Sequence, residues 1–215
     1  MAMTDWQGCE QRLTAGVRAL GVRVSLAARA TLIDYLRELT TWNATYNLTA
    51  VRDPQAMVTR HLLDSLAVLP FVAGTSIADV GSGAGLPGLV LAIARPKRSV
   101  TVIESSRKKA AFLRHACRRL ALSNVTVIQQ RVERYSPDGP FDTVICRAFA
   151  ATGQAARAAG HLIAPGGRFL LMKGRRPQAE LDDLPLDFRV VDTIALSVPQ
   201  LDAERHLVIL EPGLI

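Results

Sequence analysis

The stretch Asp79-Val80-Gly81-Ser82-Gly83-Ala84-Gly85-Leu86-Pro87-Gly88 decides the fold of this 215-residue chain. It follows a short β-branched run, Ile77 to Val80, and leads into an apolar segment, Pro87 to Ala94, that reads as a helix. A strand, a glycine-rich turn and a helix in that order bring main chain close to a ligand. Glycines accept positive φ, no side chain intervenes, and the helix N-terminus favours a negative group. A dinucleotide site would read G-x-G-x-x-G; here the spacing is G-x-G-x-G with Leu86 in the last glycine's place, which argues against NAD or FAD.

Downstream of the turn, short β-branched runs alternate with helical patterns, as expected of a parallel sheet covered on both faces. The remaining strands are expected at Val100 to Glu104, Val125 to Ile128, Thr143 to Cys146, Gly167 to Met172, Phe188 to Leu196 and His206 to Leu210, and the helices at Ser106 to Leu120, Ala151 to Ile163 and Gln178 to Leu184. No helix separates the last two strands, so they should pair antiparallel at the sheet's end. That ending distinguishes a methyltransferase sheet from a plain dinucleotide fold. Upstream, Cys9, Leu13, Val17 and Leu20 repeat at helical spacing before Gly21. A second helix starts at a Ser25 cap and runs through Leu26, Ile33, Leu36 and Leu39 towards Trp42. A third starts at Asp53-Pro54 and is expected to continue to about Leu69. The expected architecture is therefore α/β. A helical segment, residues 1–70, packs on a Rossmann-like methyltransferase domain, residues 71–215, of the class I S-adenosylmethionine-dependent type, with seven mostly parallel strands and a terminal antiparallel hairpin.

The N-terminus is polar and no apolar run reaches the ~20 residues of a bilayer span, so a cytoplasmic protein without membrane contact is expected. Cys9, Cys117 and Cys146 are far apart and form no CxxC pair, and the four histidines are scattered singly, so no metal is assigned. The net charge of +7 is concentrated centrally: residues 71–150 hold 12 Lys or Arg against 5 Asp or Glu, whereas both flanks are nearly balanced. Arg107, Lys108, Lys109, Arg114, Arg118 and Arg119 fall on one expected helix, which suits either a polyanion or a solvated face.

Glu104 stands at the end of the second strand, about twenty residues after the turn, where a carboxylate accepts both hydroxyls of an adenosine ribose. Gly81, Gly83 and Glu104 thus form a candidate cofactor site. Asp79 either faces the cofactor amino group or caps the turn.

Further segments carry a resemblance. They are Tyr46-Asn47-Leu48-Thr49, Arg60-His61-Leu62-Leu63-Asp64-Ser65-Leu66, Asp79 to Gly88, Glu104-Ser105 with Lys108-Lys109 and Phe112-Leu113, Arg147-Ala148, Lys173-Gly174 and Glu204-Arg205-His206-Leu207-Val208. In order and spacing the chain resembles the family of small-subunit ribosomal RNA guanine-N7 methyltransferases, the RsmG or GidB type. The resemblance implies methyl transfer from S-adenosylmethionine to N7 of a guanine in the 530 loop of 16S rRNA, guanine 527 in conventional rRNA numbering. The RNA would be naked, or within the small ribosomal subunit or an assembly intermediate. By the same likeness Gly81 and Leu86 line the methionine end of the cofactor, Val132 and Glu133 contact the adenine, and Arg147 lies beside the transferred methyl. Cys146 departs from the family pattern, which has serine there.

Guanine N7 has an exposed lone pair, so no general base is obligatory, and catalysis rests on placement, with Arg147 as the positioning residue. Cys146 lacks the neighbouring proline or threonine of a cytosine-C5 nucleophile and reads as a half-buried thiol. Phe149 is a stacking candidate or a core residue. His61 and Asp64 are expected to share a helix face and orient one another. Arg60, His61, Arg107, Lys108, Arg114, Arg118, Lys173 and Arg175 are the candidate RNA contacts. Competing readings are a methyltransferase for another RNA site or a small molecule, a non-catalytic RNA-binding or assembly factor, and a nicotinamide oxidoreductase.

Overall fold

The computed structural model describes residues 4–213, so residues 1–3 and 214–215 of the two expected regions lie outside the described residues. Seven strands make one sheet: β1 (Ser76–Val80), β2 (Ser99–Ile103), β3 (Val125–Ile128), β4 (Phe141–Arg147), β5 (Ile163–Lys173), β6 (Phe188–Ala195) and β7 (His206–Pro212). Their order is β3-β2-β1-β4-β5-β7-β6. The first five run parallel, while β7 is antiparallel to both β5 and β6. All but the first residue of β1 are buried, as a strand covered on both faces requires. The outermost strand, β6, is mostly exposed.

The helices form around apolar stripes and stop at residues that cannot continue them. In α1 (Trp6–Ala19) the Asp5 carboxylate accepts from the Gly8 N–H at 2.8 Å, and Cys9, Leu13 and Val17 face the core. The chain turns away at Gly21 with φ +66°. Ser25 caps α2 (Leu26–Tyr46), and left-handed Asn47 ends it. Trp42 packs its ring 5.6 Å from Phe112 and 4.9 Å from His115. Both aromatics belong to α6 (Arg107–Arg119). Glu38 completes this contact by accepting from His115 Nε2 at 2.7 Å and Arg119 Nε at 3.2 Å.

The third helix is not the continuous one the sequence suggests. Asp53 caps it through Gln55 and Ala56. After α3 (Pro54–Met57), however, the backbone widens into a π-turn, Val58–Leu63, before α4 (Asp64–Leu66) and a 3-10 turn, Leu69–Phe71. Thr59, His61, Asp64 and Ser65 are all buried here; His61 and Asp64 find side-chain partners, whereas Thr59 Oγ1 and Ser65 Oγ have none. An inserted π-turn changes the directions in which side chains leave a helix. The helices of the sheet region are α5 (Gly88–Ala94), α6, α7 (Thr152–Ala159) and α8 (Gln178–Leu181), each slightly shorter than its apolar pattern.

One core lies between the sheet and α1, α2, the π-turn, α5 and α6; the opposite face is closed by α7. Among the described residues a single hydrogen bond ties the helical layer to the glycine turn. The buried Tyr35 hydroxyl on α2 donates to the Ala84 carbonyl at 2.7 Å. Removing it in Tyr35→Phe leaves that carbonyl without its partner, and thermal melts should show a loss of about 1–2 kcal/mol; an unchanged melting temperature would mean that the bond does not brace the turn.

Candidate active site

The loop after β1 is built from positive-φ glycines: Gly81 at +67°, Gly83 at +59° and Gly85 at +93°. Its first two amides, Gly81 N–H and Ser82 N–H, donate to the Ile103 carbonyl at 2.9 and 3.2 Å, which pins the loop to the end of β2. Glu104 follows directly, 6% exposed. One of its oxygens accepts from Gly83 N–H at 2.8 Å and the other from Ser106 N–H at 2.7 Å. The carboxylate is thereby fixed in orientation while each oxygen keeps a lone pair.

A cleft opens beside this loop at the C-terminal ends of β1, β2 and β3. Its walls are Gly81, Ile103, Ser105, Gln130 and Arg131, with Val132 and Glu133 from a 3-10 turn (Val132–Arg134). Val132 is buried and Glu133 exposed, giving an apolar floor and a polar rim. Phe149 also lines this cleft. Its ring lies against Gly81 so closely that a β-carbon there would meet it at 2.7 Å. The aromatic is therefore half-buried, lining the cleft and packing against the core on the α7 side. Ala148, just before it, takes a left-handed φ of +52°.

Asp79 is fully buried and caps α5, its Oδ2 accepting from Gly88 N–H at 2.8 Å, while Oδ1 has no partner. Burial pushes its carboxyl up to about 7, against the lowering effect of the Gly88 bond. Leu86 is 4% exposed and its side chain belongs to the core, so only main chain of this residue is near the turn.

Arg147 ends β4 and reaches across to the helical layer. Its Nη1 donates to the Arg60 carbonyl and to Asp64 Oδ2, both at 3.0 Å. The other oxygen of Asp64 accepts from Arg205 Nε at 2.7 Å. Asp64 is 1% exposed, so this pairing is what makes a buried carboxylate tolerable. Arg147, Arg205, Asp64 and Lys173 border a second pocket of about 370 Å³, with Ala148, Met172 and Gly174. The segment Arg147-Ala148-Phe149 separates the two pockets: Arg147 and Ala148 face the second, Phe149 the first.

Several sequence expectations change here. His61 and Asp64 do not orient one another: His61 Nε2 meets Thr49 Oγ1 at 2.9 Å, and Asp64 holds the arginines. His61 lies within the π-turn and Asp64 opens the helix after it. His61 is 4% exposed and turned inward, so it is a structural residue rather than an RNA contact. Burial, then the charge of Arg147, lowers its pKa to about 4. Lys173 is committed too, donating to the Ala150 carbonyl at 2.8 Å and to Glu180 at 2.7 Å, so its ammonium braces the loop after β4. Cys146 is buried rather than half-buried, and burial followed by the Asp79 charge pushes its thiol up to about 12, far from a nucleophilic thiolate. Arg60, Arg107, Lys108, Arg114, Arg118 and Arg175 are exposed. The four on α6 form its outer face, and Arg114 donates to Gln129 at 3.0 Å.

Sequence reasoning missed Tyr35 as a brace of the turn and Arg205 as a partner of Asp64. A buried acid in the apolar run Leu62-Leu63-Asp64-Ser65-Leu66 signals that some cation must meet it. Which one is a tertiary fact: Arg205 lies 141 residues away.

The residues present fit S-adenosylmethionine: a glycine cradle, an anchored carboxylate for the ribose, an apolar wall from Ile103 and Val132, and an unpartnered Asp79 oxygen beneath the turn. Together with the sheet order they define a Rossmann-like S-adenosylmethionine-dependent methyltransferase. The same fold occurs in TrmN from Thermus thermophilus, at TM-score 0.57 and 18% identity over 73% of this chain and 53% of that one. It also occurs in the N-methyltransferase NodS from Bradyrhizobium japonicum WM9 in complex with S-adenosyl-L-homocysteine, at TM-score 0.57 and 15% identity over 81% and 100%. The family model for rRNA small subunit methyltransferase G, GidB, matches residues 28–208. Curated relatives named ribosomal RNA small subunit methyltransferase G include those of Methylobacillus flagellatus, 49% identical over 94% of this chain and 97% of the relative, and Stenotrophomonas maltophilia, 50% identical over 91% and 92%. The chain belongs to this family.

Two outcomes are expected of the buried groups. Asp64→Asn weakens the hold on both arginines; thermal stability should fall by about 1–3 kcal/mol, with S-adenosylmethionine affinity changed less than threefold and methyl transfer reduced at least tenfold. Equal losses in both functional readouts would show that Asp64 also shapes the cofactor cleft. For His61, whose folded pKa lies below the unfolded value of ~6.5, stability is lost as the pH falls from about 6.5 to about 4. Asp79 acts in the opposite sense, since a raised carboxyl pKa costs stability as the pH rises towards about 7. The stability difference between wild type and His61→Asn isolates His61 and should narrow by ~3 kcal/mol over that interval.

Proposed function

We propose that this protein transfers the methyl group of S-adenosylmethionine to N7 of a guanine in the 530 loop of 16S rRNA, guanine 527 in conventional numbering. The observation carrying this reading is the pair of pockets divided by Arg147-Ala148-Phe149, one with the features of a nucleoside site and the other bordered by guanidinium groups. When bound, S-adenosylmethionine supplies an electrophilic methyl group. Gly81, Gly83, Leu86 and Asp79 would hold its methionine end through main chain and carboxylate, Glu104 its ribose, and Val132 with Glu133 its adenine.

The chain's own groups then have one task on the acceptor side, which is placement. The N7 lone pair attacks without prior loss of a proton, so no base has to approach it. The arrangement agrees with this: Asp64 is held between two cations and His61 points away to Thr49. Arg147 has its orientation fixed by Asp64 and by the Arg60 carbonyl, which leaves guanidinium donors for the guanine O6 or a neighbouring phosphate. A donor locked beforehand loses little freedom when the base arrives, and that is how positioning lowers a barrier.

RNA is met by Arg60 and Arg175 near the pocket mouth and by the outer face of α6, with Arg107, Lys108, Arg114 and Arg118. Residues 1–70 act as a helical support that delivers Asp64 to the site, and residues 71–215 form the methyltransferase domain. The substrate is 16S rRNA, naked or within the small subunit or an assembly intermediate, in the cytoplasm. No helix of the described residues is long and apolar enough to cross a membrane.

Methyl transfer from labelled S-adenosylmethionine to small subunits and to naked 16S rRNA, both from cells lacking this protein, tests the proposal. N7-methylguanine should map to the 530 loop, and Arg147→Ala should lower transfer by ~100-fold while cofactor affinity stays within a few-fold. Tight cofactor binding without labelling of either RNA would instead point to another substrate or a non-catalytic role.

A further inference from the structure

A second concentration of positive charge lies at the opposite end of the sheet. β1 and β2 both begin there, at Ser76 and Ser99, whereas the glycine turn leaves β1 after Val80. Five residues of strand separate the two ends by roughly 16 Å. Arg18 in the last turn of α1, Arg23 in the following link, Arg29 in the first turns of α2, and Arg95, Lys97 and Arg98 in the link from α5 to β2 converge at that end. They are physically joined: Arg95 Nη1 donates to the Arg23 carbonyl at 2.7 Å, and Arg18, Arg23 and Arg29 border one shallow groove floored by Val17, Val22 and Val24.

These cations lack counter-charges. Among the described residues none of the six pairs with a carboxylate. Glu10, which borders the neighbouring groove with Arg29, is paired with Arg37. Asp142, whose charge acts on Arg98, already accepts from Thr75 N–H and from both the amide and hydroxyl of Ser76. Two guanidinium nitrogens, Arg29 Nε and Arg98 Nη1, are buried without any hydrogen-bond partner. By contrast, Arg147, Lys173 and Arg205 near the active site each pair with a carboxylate, the two arginines sharing Asp64. A cluster of like charges with unsatisfied donors is unfavourable unless an anion spans it.

We propose that this surface is a second RNA-binding site, gripping the phosphate backbone of a segment of 16S rRNA remote from the methylated guanine. Lysine and arginine side chains on phosphate oxygens supply affinity for an RNA backbone without reading its sequence. The inference rests on the proposed action on 16S rRNA and adds to it a reason for preferring a large folded substrate, because the two contacts face different ends of the sheet.

The test is the triple variant Arg18→Ala/Arg23→Ala/Lys97→Ala, all exposed positions, with binding to naked 16S rRNA and to small subunits measured across a salt series and methyl transfer followed in parallel. Loss of three phosphate contacts should reduce the slope of log affinity against log salt by about 2–3 and weaken binding of both substrates at least tenfold. Transfer to a short hairpin carrying only the 530 loop should be unchanged, and unchanged S-adenosylmethionine affinity and melting temperature certify the fold. Wild-type slope and affinity in the variant overturn the second site while leaving the enzymatic reading intact. Weaker binding to subunits alone, with naked rRNA unaffected, overturns it in favour of a ribosomal protein partner. A wild-type protein that neither binds nor labels 16S rRNA removes the functional reading, and this inference with it.

Discussion

Asp64 carries a negative charge in a place where 1% of the residue reaches solvent, and it does so between two guanidinium groups. The desolvation of such a carboxylate costs several kcal/mol unless both oxygens are satisfied. Satisfying them draws together the helical layer, the end of β4 and the residue before β7. The geometry around Arg147 is a by-product of that requirement. An arginine at a strand end is ordinarily free to sample many rotamers, but here one nitrogen is shared between the Asp64 carboxylate and the Arg60 carbonyl.

The helical layer is itself fixed by polar contacts that leave little play. Asn43 is buried on α2 and accepts from the Thr49 N–H at 2.9 Å, so the link after α2 folds back over the helix. Thr49 then accepts from the Val51 N–H at 3.2 Å and meets His61, which stays neutral because burial and Arg147 oppose its protonation. On the other flank Tyr35 holds the glycine turn by a carbonyl. Cofactor cleft and arginine pocket are thus braced from the same side, α2 serving both.

The sequence made some of this legible and left the rest opaque for identifiable reasons. The turn from Asp79 to Gly88 and the carboxylate Glu104 were readable because their roles are set by local chain geometry: positive-φ glycines between a strand and a helix, and an acid at the next strand end. The parallel sheet was readable from alternation, and its closing antiparallel pair from the absence of a helix between the last two strands. The partners of Asp64 were not, since 83 and 141 residues separate it from Arg147 and Arg205. Helical spacing even misdirected the reading, pairing His61 with Asp64, because a π-turn is not visible in an apolar pattern. Lys173 looked like a free cation for RNA until Glu180 and the Ala150 carbonyl claimed it.

The reversed direction of β7 has a consequence for when the site comes into being. In the parallel strands the residues facing the site follow the strand, but Arg205 precedes β7, and His206 pairs with Lys173 at the far end of β5. A parallel seventh strand would have left Arg205 at the opposite edge of the sheet. The pocket therefore closes only through one of the longest sequence separations in the fold, and contacts of that kind form late because their loop-closure entropy must be met first. A chain that has folded its glycine turn and cofactor cleft but not yet docked β7 holds Asp64 with a single partner. The cofactor cleft and the base-placing pocket thus rest on contacts of very different span, 21 residues from Gly83 to Glu104 and 141 from Asp64 to Arg205.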